Sequence, residues 1–184
     1  RLGRGWLSFA LMFMACGVFH LRNSAQNLVH NAGFEEMNWC PNDFTQTELK
    51  TLKHWKQSNS GTPDHFDVCA AGTGAGVPMN AFGQQAPLEG DAYSGIVLYA
   101  ASKPEYREYL HAELKRPLDE GEWICVEWWV CAADAGRLIT DGLGFHFGVN
   151  PIREVGEGRL SLDAQVENPL LNLMSDRWSW TKLS

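Results

Sequence analysis

Three absences bound what this chain does. No lysine or arginine run occurs in its body, and acids outnumber bases, 22 Asp and Glu against 15 Lys and Arg. A phosphate-backbone partner such as nucleic acid is therefore not expected. No apolar run is long enough for a comfortable membrane span, since the best candidate, Trp6 to Phe19, gives way at once to the polar segment His20 to Ser24. Internal repeats and low-complexity tracts are missing as well. The usual local signatures of catalysis fare no better. Gly72 to Gly76, GTGAG, lacks the lysine and hydroxyl of a phosphate loop and does not open a helix. Ser94 in DAYSG lacks the strand-turn-helix setting of a nucleophile elbow. Spacing nominates no Ser, His and Asp set.

What is present begins with a leader. Arg1 and Arg4 precede the apolar run, and Ala25-Gln26 follows it, which gives the charged, apolar and small-residue regions of a secretory signal. Residues 1–26 are expected to be a signal peptide and 27–184 a single exported domain, placed in the periplasm, the outer membrane or outside the cell, with no membrane span in the mature segment. A lipoprotein signal using Cys16 is the alternative, although the apolar run continues through Gly17, Val18 and Phe19.

Cys40, Cys69, Cys125 and Cys131 then remain. An even count in an exported chain suggests disulfides. Cys125 and Cys131 lie on one extended segment, roughly 20 Å apart at strand rise, and cannot pair with each other. Cys40 and Cys69 bracket a long irregular region and are expected to bond. A zinc site made from Cys40, His54, His65 and Cys69 competes with that reading.

The segment WICVEWWVCAAD, Trp123 to Asp134, alternates Ile124, Val126, Trp128 and Val130 with Trp123, Cys125, Glu127, Trp129 and Cys131. This is the period of a strand with one apolar and one mixed face. Further strand signals run Tyr93 to Ala100, Glu108 to Leu114, Leu143 to Val149 and Arg159 to Val166, separated by turn clusters such as Asn150-Pro151. Asn27 to Glu35 reads as a short strand entering a turn, and Glu36 to Gln85 reads as long loops. Trp178 to Ser184, WSWTKLS, reads as the start of another strand. Such spacing predicts an all-β sandwich, and the chain is expected to continue past Ser184 into a closing strand.

The segments NLVHNAGFEE at Asn27, GTPDHFDVCA at Gly61, FGQQAPLEGDAYSGIVLY at Phe82, YREYLHAELKRPL at Tyr106 and DGLGFHFG at Asp141 resemble one family. It is the N-terminal β-sandwich module of exported Bacteroidota-type envelope proteins, many of which carry an OmpA-like peptidoglycan-binding domain or a secretion-sorting domain downstream. The resemblance implies a galactose-binding-like jelly roll and says much less about a ligand. Modules of that group often place a calcium ligand where Glu35 stands; no cofactor is expected beyond this candidate structural calcium, and a solvated turn acid at Glu35 is the favoured reading over a ligand.

Candidate binding residues follow from strand parity. If Leu110, Ala112 and Leu114 face the core, Arg107, Tyr109, His111 and Glu113 face away. If Leu143, Phe145 and Phe147 face inward, His146 does not. Arg107, Tyr109, Glu127, Trp129 and His146 are thus expected to share a face of aromatic planes and hydrogen-bonding heads, which suits a sugar, provided that the loop 36–85 does not cover it. Acid pairs such as Asp64 with Asp67 and Glu120 with Glu122 are expected to be solvated turn residues. The expected function is a non-enzymatic exported module that binds glycan or another cell-surface component. A structural domain that positions a downstream OmpA-like anchor is the alternative. A glycan-active enzyme, which needs two acids flanking a cleft, is the third reading.

Overall fold

The computed structural model describes residues 26–44 and 49–184; the expected signal peptide lies outside the described residues but for Gln26. The fold is all-β. Its strands are β1 (Trp55–Gln57), β2 (Asp64–Asp67), β3 (Met79–Asn80), β4 (Gly83–Gln84), β5 (Ala92–Gly95), β6 (Leu110–Ala112), β7 (Trp128–Val130), β8 (Gly144–Phe145), β9 (Val166–Glu167) and β10 (Thr181–Leu183). They pair antiparallel and two by two, as β1 with β6, β2 with β5, β3 with β4, β7 with β10, and β8 with β9. Isolated bridges such as Val29 with Leu114 and Thr140 with Met174 add to these ladders. No helix among the described residues is long and apolar enough to cross a membrane.

The region 36–85, expected to be loops, holds four of the ten strands found among the described residues. The strongest is β2, Asp-His-Phe-Asp, in which all four residues are buried. Local pattern does not announce it, because two acids and a histidine occupy positions where alternation would ask for apolar residues. Its stability comes from non-local pairing, with Asp64 opposite Gly95 and Asp67 opposite Ala92. Asp64 and Asp67, expected in solvent, are each 4% exposed. Asp67 Oδ1 accepts the Cys69 amide at 2.7 Å and so caps the 3-10 turn Val68–Ala70.

A small core gathers around this strand. Phe66, Ala70, Ala75 and Val77 are buried together, with Cys40, Phe82 and Tyr93 packed against them. The Cys40–Cys69 disulfide, with Cα atoms 6.0 Å apart, ties this core to the preceding segment. It removes both thiols from the zinc alternative. Gly95 is required here, because a Cβ at this position would stand 2.7 Å from the Phe66 ring.

The alternation in Ile124 to Val130 holds in part. Val126, Trp128 and Val130 are half-buried while Cys125, Glu127 and Trp129 are exposed. On the covered side, Trp128 pairs across the ladder with buried Leu183 and meets Phe145 of β8 at 4.5 Å between ring centroids. The regular strand is nevertheless only three residues long, and Trp123 is 98% exposed.

Candidate functional site

The open side of the β7–β10 ladder carries the best-assembled group of candidate site residues. The register sets Trp129 opposite Lys182, so both side chains emerge from the same face. Glu127, two positions along, lies on that face as well, and its carboxylate pairs with the Lys182 ammonium at 2.5 Å. Trp129 is 45% exposed, and the Glu127 and Lys182 side chains are 50% and 43% exposed. One step further out, parity places Cys131 and Trp180 on this side.

The end of the 36–85 region covers that outer step and stops there. Cys131 Sγ lies 3.0 Å from Gln85 Oε1, and the Trp180 indole N–H donates to the Ala86 carbonyl at 2.8 Å. Trp180 also meets Tyr93 edge-on at 5.5 Å. The Tyr93 hydroxyl accepts from the Asn80 side-chain amide at 2.6 Å, and burial pushes the phenol up to about 12. Burial likewise pushes the Cys131 thiol up to about 11, with the Asp176 and Asp134 carboxylates adding to the effect. At neutral pH Cys131 is therefore a protonated packing group, not a nucleophile. The sheet face is thus closed at Cys131 and open at Trp129.

The other three expected site residues lie elsewhere. Arg107 precedes β6, donates to the carbonyls of Pro104 and Tyr106 at 2.7 Å each, and sits 5.6 Å from the Tyr99 ring centroid. The Tyr109 hydroxyl accepts the Leu160 amide at 3.2 Å. His146, following β8, has Nδ1 2.9 Å from the Asp163 carbonyl. Of the five residues expected on one face, the strand register brings together two, Glu127 and Trp129. Parity fixes which side of its own strand a residue takes, but it says nothing about which strands become neighbours. β6, β7 and β8 each pair with a different partner.

Acids elsewhere serve backbone and neighbouring side chains. Glu108, 3% exposed, accepts from the Tyr106 hydroxyl at 2.5 Å, the Val97 amide at 2.6 Å and the amide and hydroxyl of Thr62. Glu122 is bound by Arg116 and by the Asp119 amide, which together hold its carboxyl down at about 2. Glu35 accepts from the amides of Asp91 and Ala92 at 3.1–3.2 Å. It thereby fixes the turn at Gly90, whose φ of +65° suits glycine. Calcium takes six or more oxygens, and no group of three His, Cys, Asp or Glu residues arranged for a metal occurs among the described residues.

Sequence reasoning missed Lys182 as the residue opposite Trp129 and missed Trp180 on the same side of β10. WSWTKLS does show the needed parity, with Trp180 and Lys182 on one side and Thr181 and Leu183 on the other. The pairing with β7, some fifty residues away, has no local signal. Compared with protein families, curated proteins and solved structures, the chain matches none.

Proposed function

We propose that this chain is a non-catalytic, exported module that binds glycan or another cell-surface component through the open side of the β7–β10 ladder. The observation that carries this reading is the half-exposed Trp129 indole on a strand, flanked by the Glu127–Lys182 ion pair. A pyranose presents an apolar C–H face and a rim of hydroxyls. An indole takes the first, and a carboxylate beside an ammonium takes the second from both acceptor and donor sides. Trp180, held by Ala86 and Tyr93, gives the platform a rigid neighbour, which limits the ordering cost of binding.

The finer fold and the setting belong to the same proposal. A galactose-binding-like jelly roll, membership among the sandwich modules of Bacteroidota-type envelope proteins, and a signal peptide over residues 1–26 are supported by the quoted segments and the spacing of strand signals. The Cys40–Cys69 bond supports an oxidising compartment such as the periplasm or the cell exterior. A structural calcium at Glu35 is proposed on the resemblance alone.

A second reading, a structural domain that positions an anchoring domain, is favoured by a different observation. Trp123, Leu170, Leu171 and Trp178 are each more than 80% exposed, and large apolar side chains in solvent suit a protein neighbour. A glycan array probed with the purified protein separates the two. Retention on defined glycans supports the binding module, and a blank array spanning neutral and charged structures favours the structural domain.

A further inference from the structure

The β1–β6 ladder carries a feature that the binding face does not use. Its register sets Lys56 opposite His111, and the next step brings Ser58 beside Tyr109, whose carbonyl receives the Ser58 amide at 3.4 Å. Lys56, His111, Ser58 and Tyr109 therefore share one side of the ladder. Ser58 Oγ lies 3.1 Å from His111 Nδ1. The segment bearing Arg153 is tied to this ladder by the Glu154 amide, which donates to the Ser58 carbonyl at 2.9 Å. The charges that act on the His111 ring are those of Lys56 and Arg153, which add to burial in lowering its proton affinity.

The protein has a formal charge of −7, and three of its cations have carboxylate partners close by, as Lys103 has Glu157, Arg116 has Glu122 and Lys182 has Glu127. Among the described residues neither Lys56 nor Arg153 has an ion-pair partner; the ladder sets Lys56 across from His111, and the charge of Arg153, next in sequence to the Glu154 tie, acts on the same ring. Like charges placed together without a counterion cost free energy, and an anion relieves it. Ser58 completes the chemistry. When its hydroxyl donates to Nδ1, the neutral imidazole carries its proton on Nε2 and becomes a donor to an acceptor-only ligand.

We propose that Lys56, His111 and Arg153, with the imidazole oriented by Ser58, form a binding site for a tetrahedral oxyanion, either free phosphate or the sulfate or phosphate ester of a surface polymer. The site is distinct from the Trp129 face and does not depend on it. Two cations supply the charge and the ring supplies a directional hydrogen bond.

The test is an NMR titration of the histidine ring nitrogens, at fixed ionic strength, in sodium phosphate and in sodium chloride, with sulfated dextran as a further arm. In phosphate the His111 midpoint rises by about one unit relative to chloride, because a bound anion favours the imidazolium, while exposed His146 serves as the internal control. In the Lys56→Gln, Arg153→Gln double variant the midpoint in chloride is already raised, and the response to phosphate is lost. A response at least tenfold more sensitive to sulfated dextran than to phosphate assigns the site to a polymer ester, and equal sensitivity assigns it to the free ion. An unchanged His111 midpoint in both phosphate and sulfated dextran overturns the proposal, as does a phosphate response retained in the double variant.

Discussion

Trp129 and Lys182 stand opposite each other across the β7–β10 ladder, and the lysine is ion-paired to Glu127 on the same face. Because both charged side chains are close to half exposed, the pair contributes at most about 1 kcal/mol to stability. Lys182→Ala is expected to leave the urea midpoint nearly unchanged while weakening glycan affinity, since the ammonium is the donor beside the indole. Equilibrium unfolding and binding measured on the same preparation check this, and an unaltered affinity would remove Lys182 from the site.

The disulfide closes a separation of 29 residues. On the chain-entropy model, the Cys40→Ser, Cys69→Ser double variant is expected to lose about 3 to 4 kcal/mol. Peptide mapping without reduction should recover Cys40 joined to Cys69, with Cys125 and Cys131 as free thiols. A peptide linking Cys40 to Cys125 would contradict the assignment.

Fully buried His65 gives the protein an acid-sensitive element. Burial depresses its proton affinity from 6.5 to about 4, partly opposed by the Asp67 carboxylate. In the unfolded chain the ring takes up its proton near 6.5. Between these values the unfolded state binds more protons than the folded state, so stability is fully present above pH 6.5 and falls as the pH drops towards 4. The loss from this residue is about 3 kcal/mol over that window. Urea denaturation as a function of pH should show this slope in the parent and a flatter one in His65→Gln. Parallel slopes would mean that His65 does not govern it.

The strand parity around Trp129 was legible in the sequence because Val126, Trp128 and Val130 repeat at a spacing of two against exposed neighbours. β2 was not legible. Its Asp64, His65 and Asp67 are buried through pairing with β5 and through capping of the Val68–Ala70 turn, interactions supplied by distant or backbone groups. Half of the candidate site was illegible for the same reason. Glu127 and Trp129 could be placed on one side of a strand, but Trp180 and Lys182 reach them only by non-local pairing. Arg107 and Tyr109 precede β6 and His146 follows β8, and those strands have other partners.

Glu35 shows how a residue selected for one role can be assigned another by geometry. Its carboxylate accepts the amides of Asp91 and Ala92 ahead of β5, so Glu35→Ala is expected to cost about 1 to 2 kcal/mol with or without calcium. The proposed calcium adds a separate expectation, a higher Tm of the parent in calcium than in chelator, because an ion bound only to the folded state stabilises it. Equal melting temperatures in the two buffers would leave Glu35 as a turn residue alone.

The central claim rests on Trp129 being a binding surface and not a packing group, and Trp129→Ala, assayed for both glycan affinity and unfolding, measures that directly. With 45% of the residue exposed, the account predicts loss of glycan binding together with a destabilisation of about 2 kcal/mol or less, below the 3 to 5 kcal/mol typical of a buried tryptophan. A loss of about 3 to 5 kcal/mol, in a protein whose parent retains no glycan, would contradict it.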